Sequence, residues 1–312
     1  MIALNTPIHF IKNYHSNAIY FKRDDLLPFS FGGNKYRKAL NFFKEIIVGD
    51  YNTVVTYGSS HSNHVRMVSN LAYKHNIRCI VITPKAKNEG AIPFNQRLTK
   101  SVQAEFIESP LENIKETIQS TLFRLKNNHD KPYFIPGGGH GYLGTQAYVE
   151  AFGEILAEEV KMQKEFNYIF LASGTGATQA GLIVGDIINN TYKKIIGISV
   201  ARNNGTGTKV VEKSVGEYLK TKKINFKHNL NITFVDSYLV NGYGTKNREI
   251  VNIIQSYYNE FGVPLDPIYT GKAVWGMEDY IIKKGIKNSN ILFIHTGGTP
   301  IFFDYIGEQY GL

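Results

Sequence analysis

Short runs of β-branched and aromatic residues alternate along the chain with longer stretches whose apolar residues recur at helical spacing. The strand-like runs are Ala18–Lys22, Thr53–Tyr57, Arg78–Thr83, Gln103–Ile107, Tyr133–Ile135, Tyr168–Ala172, Lys194–Val200, Ile232–Val235 and Ile291–His295. Between them, Tyr36–Ile47, Asn63–His75, Leu111–Asn127, Gly144–Lys161, Thr178–Ile188 and Asn247–Phe261 carry the helical pattern. Regular alternation of this kind predicts an α/β fold with mostly parallel sheet covered by helices on both faces. Several strand-to-helix junctions are rich in Gly, Ser and Asn. They fall at strand carboxyl ends, where open α/β sheets place their ligands, so the pattern predicts a small-molecule site.

The junction Ser173-Gly174-Thr175-Gly176-Ala177-Thr178 follows a buried strand and opens a helix of small residues. Backbone N–H groups at such a turn, with the helix N-terminus behind them, make a receptor for a phosphate. A dinucleotide fingerprint would need a third glycine where Gln179 stands, and the next strand ends Ser199-Val200-Ala201-Arg202 without a carboxylate for a ribose. No Gly-Lys-Ser/Thr follows either, which removes the P-loop reading.

Gly32-Gly33-Asn34-Lys35 places a lysine at the start of a helix, with Asn34 as the expected N-cap. The positive end of the helix dipole, Arg37 and Lys38 are all expected to depress the Lys35 pKa, as suits a nucleophile or base. Taken alone, such a lysine reads as a solvated surface residue; the phosphate cup gives it weight. Gly58-Ser59-Ser60-His61-Ser62-Asn63-His64 again joins strand to helix and gathers donors suited to a carboxylate, with Ser62 as a candidate nucleophile or donor. His61 and His64 have no acidic or cysteine neighbour, so no metal is expected. Late in the chain, Tyr243 and Tyr269 each neighbour glycine in a polar turn, and Thr296 ends a strand before Gly297-Gly298.

Composition bounds rather than redirects this picture. The chain has 312 residues, 43% hydrophobic and 20% charged, enough for two lobes or one large α/β unit. Its net charge of +9 is scattered without basic clusters, which argues against a nucleic-acid partner. No apolar run approaches the ~20 residues of a membrane span. The stretch Met1–Pro7 lacks a basic region followed by apolar residues, and Cys79 is the only cysteine, so a cytoplasmic location is expected.

These pieces, in this order, resemble the D-cysteine desulfhydrase and 1-aminocyclopropane-1-carboxylate (ACC) deaminase family of pyridoxal 5′-phosphate (PLP) enzymes, within the tryptophan-synthase β-like group. The likeness runs from about Thr6 to Gly307. It implies two open, twisted, mostly parallel sheets flanked by helices, with PLP in the interdomain cleft. A larger domain of residues 1–45 and 148–312 would receive a smaller inserted one of residues 46–147, and a homodimer is implied. By the same resemblance Lys35 carries PLP as a Schiff base and removes the substrate α-proton. Ser173–Thr178 holds the phosphate, Asn63 contacts the cofactor, Thr296 lies beside the pyridine nitrogen, and Tyr243 and Tyr269 are active-site acids. Ser62, Asn63 and His64 would bind the substrate carboxylate, with His61, His140 and Tyr142 as further pocket-lining rings peculiar to this chain. Thr270 and Thr296 stand where ACC deaminases carry a glutamate and an apolar residue, which favours elimination over ring opening. The expected reaction is α,β-elimination from a small amino acid, D-cysteine giving pyruvate, hydrogen sulfide and ammonia. The alternatives are ACC deamination to 2-oxobutyrate and ammonia, and a non-catalytic PLP-binding or sensing protein.

Overall fold

A computed structural model describes residues 4–85, 91–226 and 230–311. Residues 1–3 and 312, the outermost positions of the expected larger domain, lie outside that range. The strands are β1 Ile8–Tyr14, β2 Asn17–Lys22, β3 Thr53–Tyr57, β4 Arg78–Pro84, β5 Glu105–Ser109, β6 Pro132–Ile135, β7 Tyr168–Ser173, β8 Lys194–Ser199, β9 Thr233–Val235 and β10 Asn290–Ile294. The helices are α1 Asn34–Val48, α2 Asn63–Lys74, α3 Phe94–Ser101, α4 Ile114–Asn127, α5 Tyr142–Met162, α6 Ala177–Asn189, α7 Asn204–Thr221, α8 Arg248–Phe261, α9 Thr270–Lys283 and α10 Thr299–Tyr310. Among the described residues, no helix is long and apolar enough to cross a membrane.

Two sheets result, one of six strands in the order β1-β2-β10-β7-β8-β9 and one of four in the order β5-β4-β3-β6. All neighbouring strands run parallel except the β1–β2 hairpin. The central strands of the larger sheet are buried on both faces, which is why their sequences are continuous apolar runs. Ile19, Phe21, Phe170 and Phe293 pack on Tyr257 and Leu265, while Tyr20, Leu171, Leu292 and Ile294 pack on Tyr148 and Phe152.

The pattern did not announce every element. β1 is a half-exposed edge strand whose register shifts between Phe10 and Lys12, which breaks the alternation, and it turns into β2 through His15 and Ser16, both at positive φ. β5 begins two residues later than the periodicity suggests, because Gln103 turns at φ +59 and its N–H bonds the Lys100 carbonyl. α7 and α9 carry interior glycines, which lower helix propensity but allow close packing. A Cβ on Gly207 would strike the Phe234 ring, and one on Gly276 would stand 2.7 Å from Ile198.

A buried ionic network fixes the start of α1. Arg37 donates from Nε and Nη2 to Asp24, both at 2.9 Å, and from Nη1 to Glu154 at 2.6 Å. Lys22 reaches Glu154 at 2.7 Å, and Tyr148 donates to Asp24 at 2.6 Å. Burial works to raise the Asp24 carboxyl, but Arg37 and Lys22 outweigh it and hold the group below its ordinary range. Asp24→Asn leaves Arg37 short of a buried counter-charge. It is expected to cost about 3–5 kcal/mol of stability in a denaturant titration.

Candidate active site

Each sheet has a point where its strand order reverses. In the smaller sheet β3 is flanked by β4 on one side and β6 on the other, and in the larger sheet β7 is flanked by β8 and β10. Open α/β sheets bind ligands in the crevice outside the strand ends at such points. Here the loops leaving β3, β6, β7, β8 and β10 line one cavity of about 430 Å³ between the two sheets.

Lys35 enters this cavity because two backbones cross in contact. Gly33 stands at φ +88, and a Cβ on it would lie 2.6 Å from the Thr296 carbonyl oxygen; one on Gly297 would lie 2.8 Å from the Gly33 Cα. The Asn34 N–H donates to the Thr296 carbonyl at 3.0 Å across that crossing. Asn34 is not the N-cap: Gly33 takes that position, and the Asn34 amide donates to the Thr178 hydroxyl at 3.1 Å. Lys35 Nζ donates to the Gly138 carbonyl at 3.3 Å, and burial pushes its amine down to about 8. Arg37 takes no part in that depression, since it is spent on Asp24 and Glu154 behind the helix.

Opposite Lys35, α6 begins at Gly176, φ +83. No backbone carbonyl among the described residues takes the N–H of Gly174, Thr175 or Gly176. The Ser173 hydroxyl is buried with no hydrogen-bond partner among them. Gly138 closes over this turn, for a Cβ there would stand 2.7 Å from Thr175 Cγ2. Ser173, Gly174, Thr175, Gly176 and Thr178 all line the cavity, whereas Ala177 is turned into the packing of α6.

At the start of α2, Ser62 Oγ caps the helix, accepting from the Val65 N–H at 3.2 Å, and Asn63 lines the cavity beside it. Thr56 Oγ1 donates to the Ile135 carbonyl, so it accepts from His64 Nε2 at 2.9 Å. Burial, then Lys35 and Lys38, hold the His64 ring well below its ordinary pKa, and it is neutral. His140 also lines the cavity; its Nδ1 lies 2.9 Å from the Gly137 carbonyl and so carries a proton. His61 and Tyr142 are not among the lining residues. His61 Nδ1 sits 3.3 Å from the Ser60 hydroxyl, and Tyr142 stacks on Tyr218 at 5.2 Å.

Tyr243 and Tyr269 meet at the cavity wall, hydroxyl to hydroxyl at 2.6 Å. Burial raises Tyr269 well above the phenol range and Tyr243 raises it further; burial also raises Tyr243, but the bond with Tyr269 counteracts that. Either hydroxyl can donate in that bond, and Tyr243 is also held by the Ser59 side chain. Thr296 lines the cavity, but Thr270 does not reach it. The Thr270 hydroxyl donates to buried Asp266 at 2.8 Å, and the same carboxylate accepts from the Ile268, Tyr269 and Thr270 N–H groups. Burial raises the Asp266 carboxyl above its ordinary range against those bonds.

The sequence reading gave no place in the site to Lys38, Tyr57 or Arg202, which also line the cavity. Lys38 is buried one turn after Lys35 without an ion-pair partner among the described residues, and burial, then Lys35, depress its amine well below the usual range. Its spacing of three from Lys35 was the available signal. Arg202 donates to the Gly174 carbonyl at 2.5 Å and steadies the glycine turn. No carboxylate lines the cavity among the described residues, whereas Lys35, Lys38 and Arg202 do, so it is built for an anion.

Fold and site together define a two-lobed α/β protein with an anion-binding interlobe cleft around a lysine of lowered pKa. Residues 2–297 match the family model of the pyridoxal-phosphate dependent enzymes, and the chain belongs to that family. A Pyrococcus furiosus protein described as a candidate 1-aminocyclopropane-1-carboxylate deaminase is 34% identical over 98% of this chain and 93% of its own. The D-cysteine desulfhydrase of Klebsiella pneumoniae is 31% identical over 98% of this chain and 95% of its own. The crystal structure of an ACC deaminase homologue superposes with a TM-score of 0.87 at 31% identity, covering 99% of this chain and 94% of that one. The donor set fits the cofactor of this family. The orphaned Ser173 hydroxyl and the free N–H groups of the turn suit a phosphate dianion, and two amines one turn apart on α1, Lys35 and unpaired Lys38, line the same cavity.

Proposed function

We propose that the chain catalyses α,β-elimination from a small amino acid, converting D-cysteine and water to pyruvate, hydrogen sulfide and ammonia. The observation that carries this is Lys35, an amine of lowered pKa facing the orphaned Ser173–Thr178 turn in a cavity without carboxylates. PLP, when bound, supplies an electron sink for the substrate's Cα. Lys35 attaches the cofactor and, once freed, takes the α-proton. The Ser173–Thr178 turn and Lys38 would hold the phosphate, and neutral Thr296 would face the ring. The α2 N-terminus at Ser62, Asn63 and His64 takes the substrate carboxylate, with neutral His64 adding no charge of its own. Tyr269 donates to Tyr243, so the Tyr243 proton is free to pass to the departing sulfur. His140 lines the cavity from the smaller sheet's side, within reach of a substrate. Thr270 is committed to Asp266, so the preference for elimination rests on neutral Thr296.

The test is a panel of D- and L-cysteine, β-chloroalanine, D-serine and ACC, with pyruvate, 2-oxobutyrate and sulfide measured. Sulfide and pyruvate from D-cysteine support elimination. ACC deamination is the second reading, favoured by the Pyrococcus relative and the crystallised homologue; 2-oxobutyrate from ACC alone would replace the first with it. A bound chromophore with no keto acid from any substrate would mark a sensing protein. Lys38→Met removes the charge opposite the phosphate. It is expected to weaken PLP binding about tenfold to a hundredfold, read by titrating the cofactor-stripped chain.

A homodimer is part of this proposal. Leu26 and Phe31 project from the tight 24–32 loop, 51% and 46% exposed. Behind Phe31 the buried Arg66 guanidinium, 5.5 Å from the ring, backs this exposed apolar pair. Sedimentation should give a dimer that Leu26→Ser with Phe31→Ser shifts toward monomer. Buried Cys79, the lone cysteine, supports a reducing cytoplasmic setting.

A further inference from the structure

The loop from β3 to α2 is held from outside by a side chain of α3. Asn95 is 1% exposed, and its Nδ2 donates to the His61 carbonyl at 2.8 Å and to Asn63 Oδ1 at 3.0 Å. A backbone carbonyl only accepts, so the Asn95 atom facing His61 is its amide nitrogen. The second hydrogen of that nitrogen reaches Asn63, which must therefore present its oxygen. Asn63 lines the cavity, and its own NH2 has no other partner among the described residues. The direction of one buried amide thus fixes the direction of another that faces the ligand. Asn95 Oδ1 is meanwhile buried with no partner, a bond left unmade that packing alone does not call for.

α3 is itself tied to the opposite lobe. The Phe94 N–H at its first residue donates to Asp304 of α10 at 2.9 Å, and Thr99 bonds the Asn95 carbonyl at 2.7 Å. The element that orients Asn63 is therefore anchored to the larger sheet's side of the cleft.

We propose that Asn95 is a positioning residue that sets the Asn63 amide as a hydrogen-bond donor to an anionic oxygen of the bound cofactor or substrate. This rests on the site reading above. The test compares Asn63→Ala, Asn95→Leu and the double variant by PLP affinity of the stripped full chain, by the pH dependence of the loaded chain's visible absorbance, and by KM. Asn95→Leu should weaken one of these interactions about three- to tenfold, and the double variant should match Asn63→Ala within about twofold. Movement of PLP affinity and absorbance assigns the oxygen to the cofactor; movement of KM alone assigns it to the substrate. Thr99→Val, one turn along α3, should lower thermal stability without moving either. An Asn95→Leu effect that is absent, or that multiplies onto Asn63→Ala, overturns the proposal. If Asn63→Ala itself moves nothing, the role given to Asn63 under the proposed function falls as well, and the two failures are thereby told apart. Should Asn95→Leu not accumulate, Asn95→Ser, too short to reach both acceptors, is judged by the same criteria.

Discussion

Exchange of Lys35 for alanine is expected to abolish the visible absorbance of PLP joined to protein and to lower turnover by at least the 10²–10⁴-fold that a general base contributes. Two functions sit on one amine, covalent attachment and proton removal, so both readouts should fail together. Lys35→Arg separates charge from nucleophilicity, because a guanidinium keeps the charge but is never deprotonated; it should fail in the same way. The pH dependence of loading gives a sharper check. Burial pushes the Lys35 amine down to about 8 in the unloaded chain, and only the neutral amine attacks a carbonyl. The rate of PLP attachment should therefore rise with pH and reach half its plateau near that value. A lysine left in water would do so some two units higher, near 10.4. An unchanged spectrum in Lys35→Ala would remove the assignment outright.

The parts of this site that depend on local chain chemistry were legible from the residues alone. A strand followed by Gly174-Thr175-Gly176 and a helix of small residues makes a cup wherever it occurs, and the glycine at φ +83 is readable as a need for backbone freedom. What was not legible depends on which backbones meet. Gly33 and Gly297 lie far apart in the chain, yet each must be glycine because the other presses against it. Lys38 reads as one more basic residue on a surface helix until α1 is seen to be buried along that side. Thr270 stands where the resembling ACC deaminases carry a glutamate, a difference that reads as favouring elimination, but Asp266, four residues earlier, captures its hydroxyl. Tyr142 looked like a pocket ring from its glycine-rich surroundings, and an aromatic partner seventy-odd residues on takes it away. Pattern finds the loops, and tertiary neighbours decide which side chains those loops deliver.

Tyr243→Phe should lower kcat by about 10²–10⁴-fold, the span of a positioned acid, and leave PLP affinity unchanged. The asymmetry of the tyrosine pair makes this more than a statement about two nearby phenols. Burial raises both hydroxyls, and the proposed role gives the shared proton to Tyr269, the more strongly raised of the two. The Tyr243 proton is then left for the Ser59 hydroxyl or for a group in the cavity that both residues line. Tyr243 is 46% exposed while lining the cavity, so it borders both the cavity and solvent. Tyr269→Phe takes away only the bond that orients Tyr243 and should cost about tenfold. In the double variant the loss should equal that of Tyr243→Phe, because an orienting bond has no value once its acceptor is gone. Equal losses in the two single variants would mean that the proton acceptor is served by either phenol, and the direction assigned to their bond would have to be reversed or abandoned. With both phenols raised above the ordinary range near 10, the acid stays protonated through neutral pH, and its loss should appear only as an alkaline limb above pH ~10 in Tyr243-bearing enzyme.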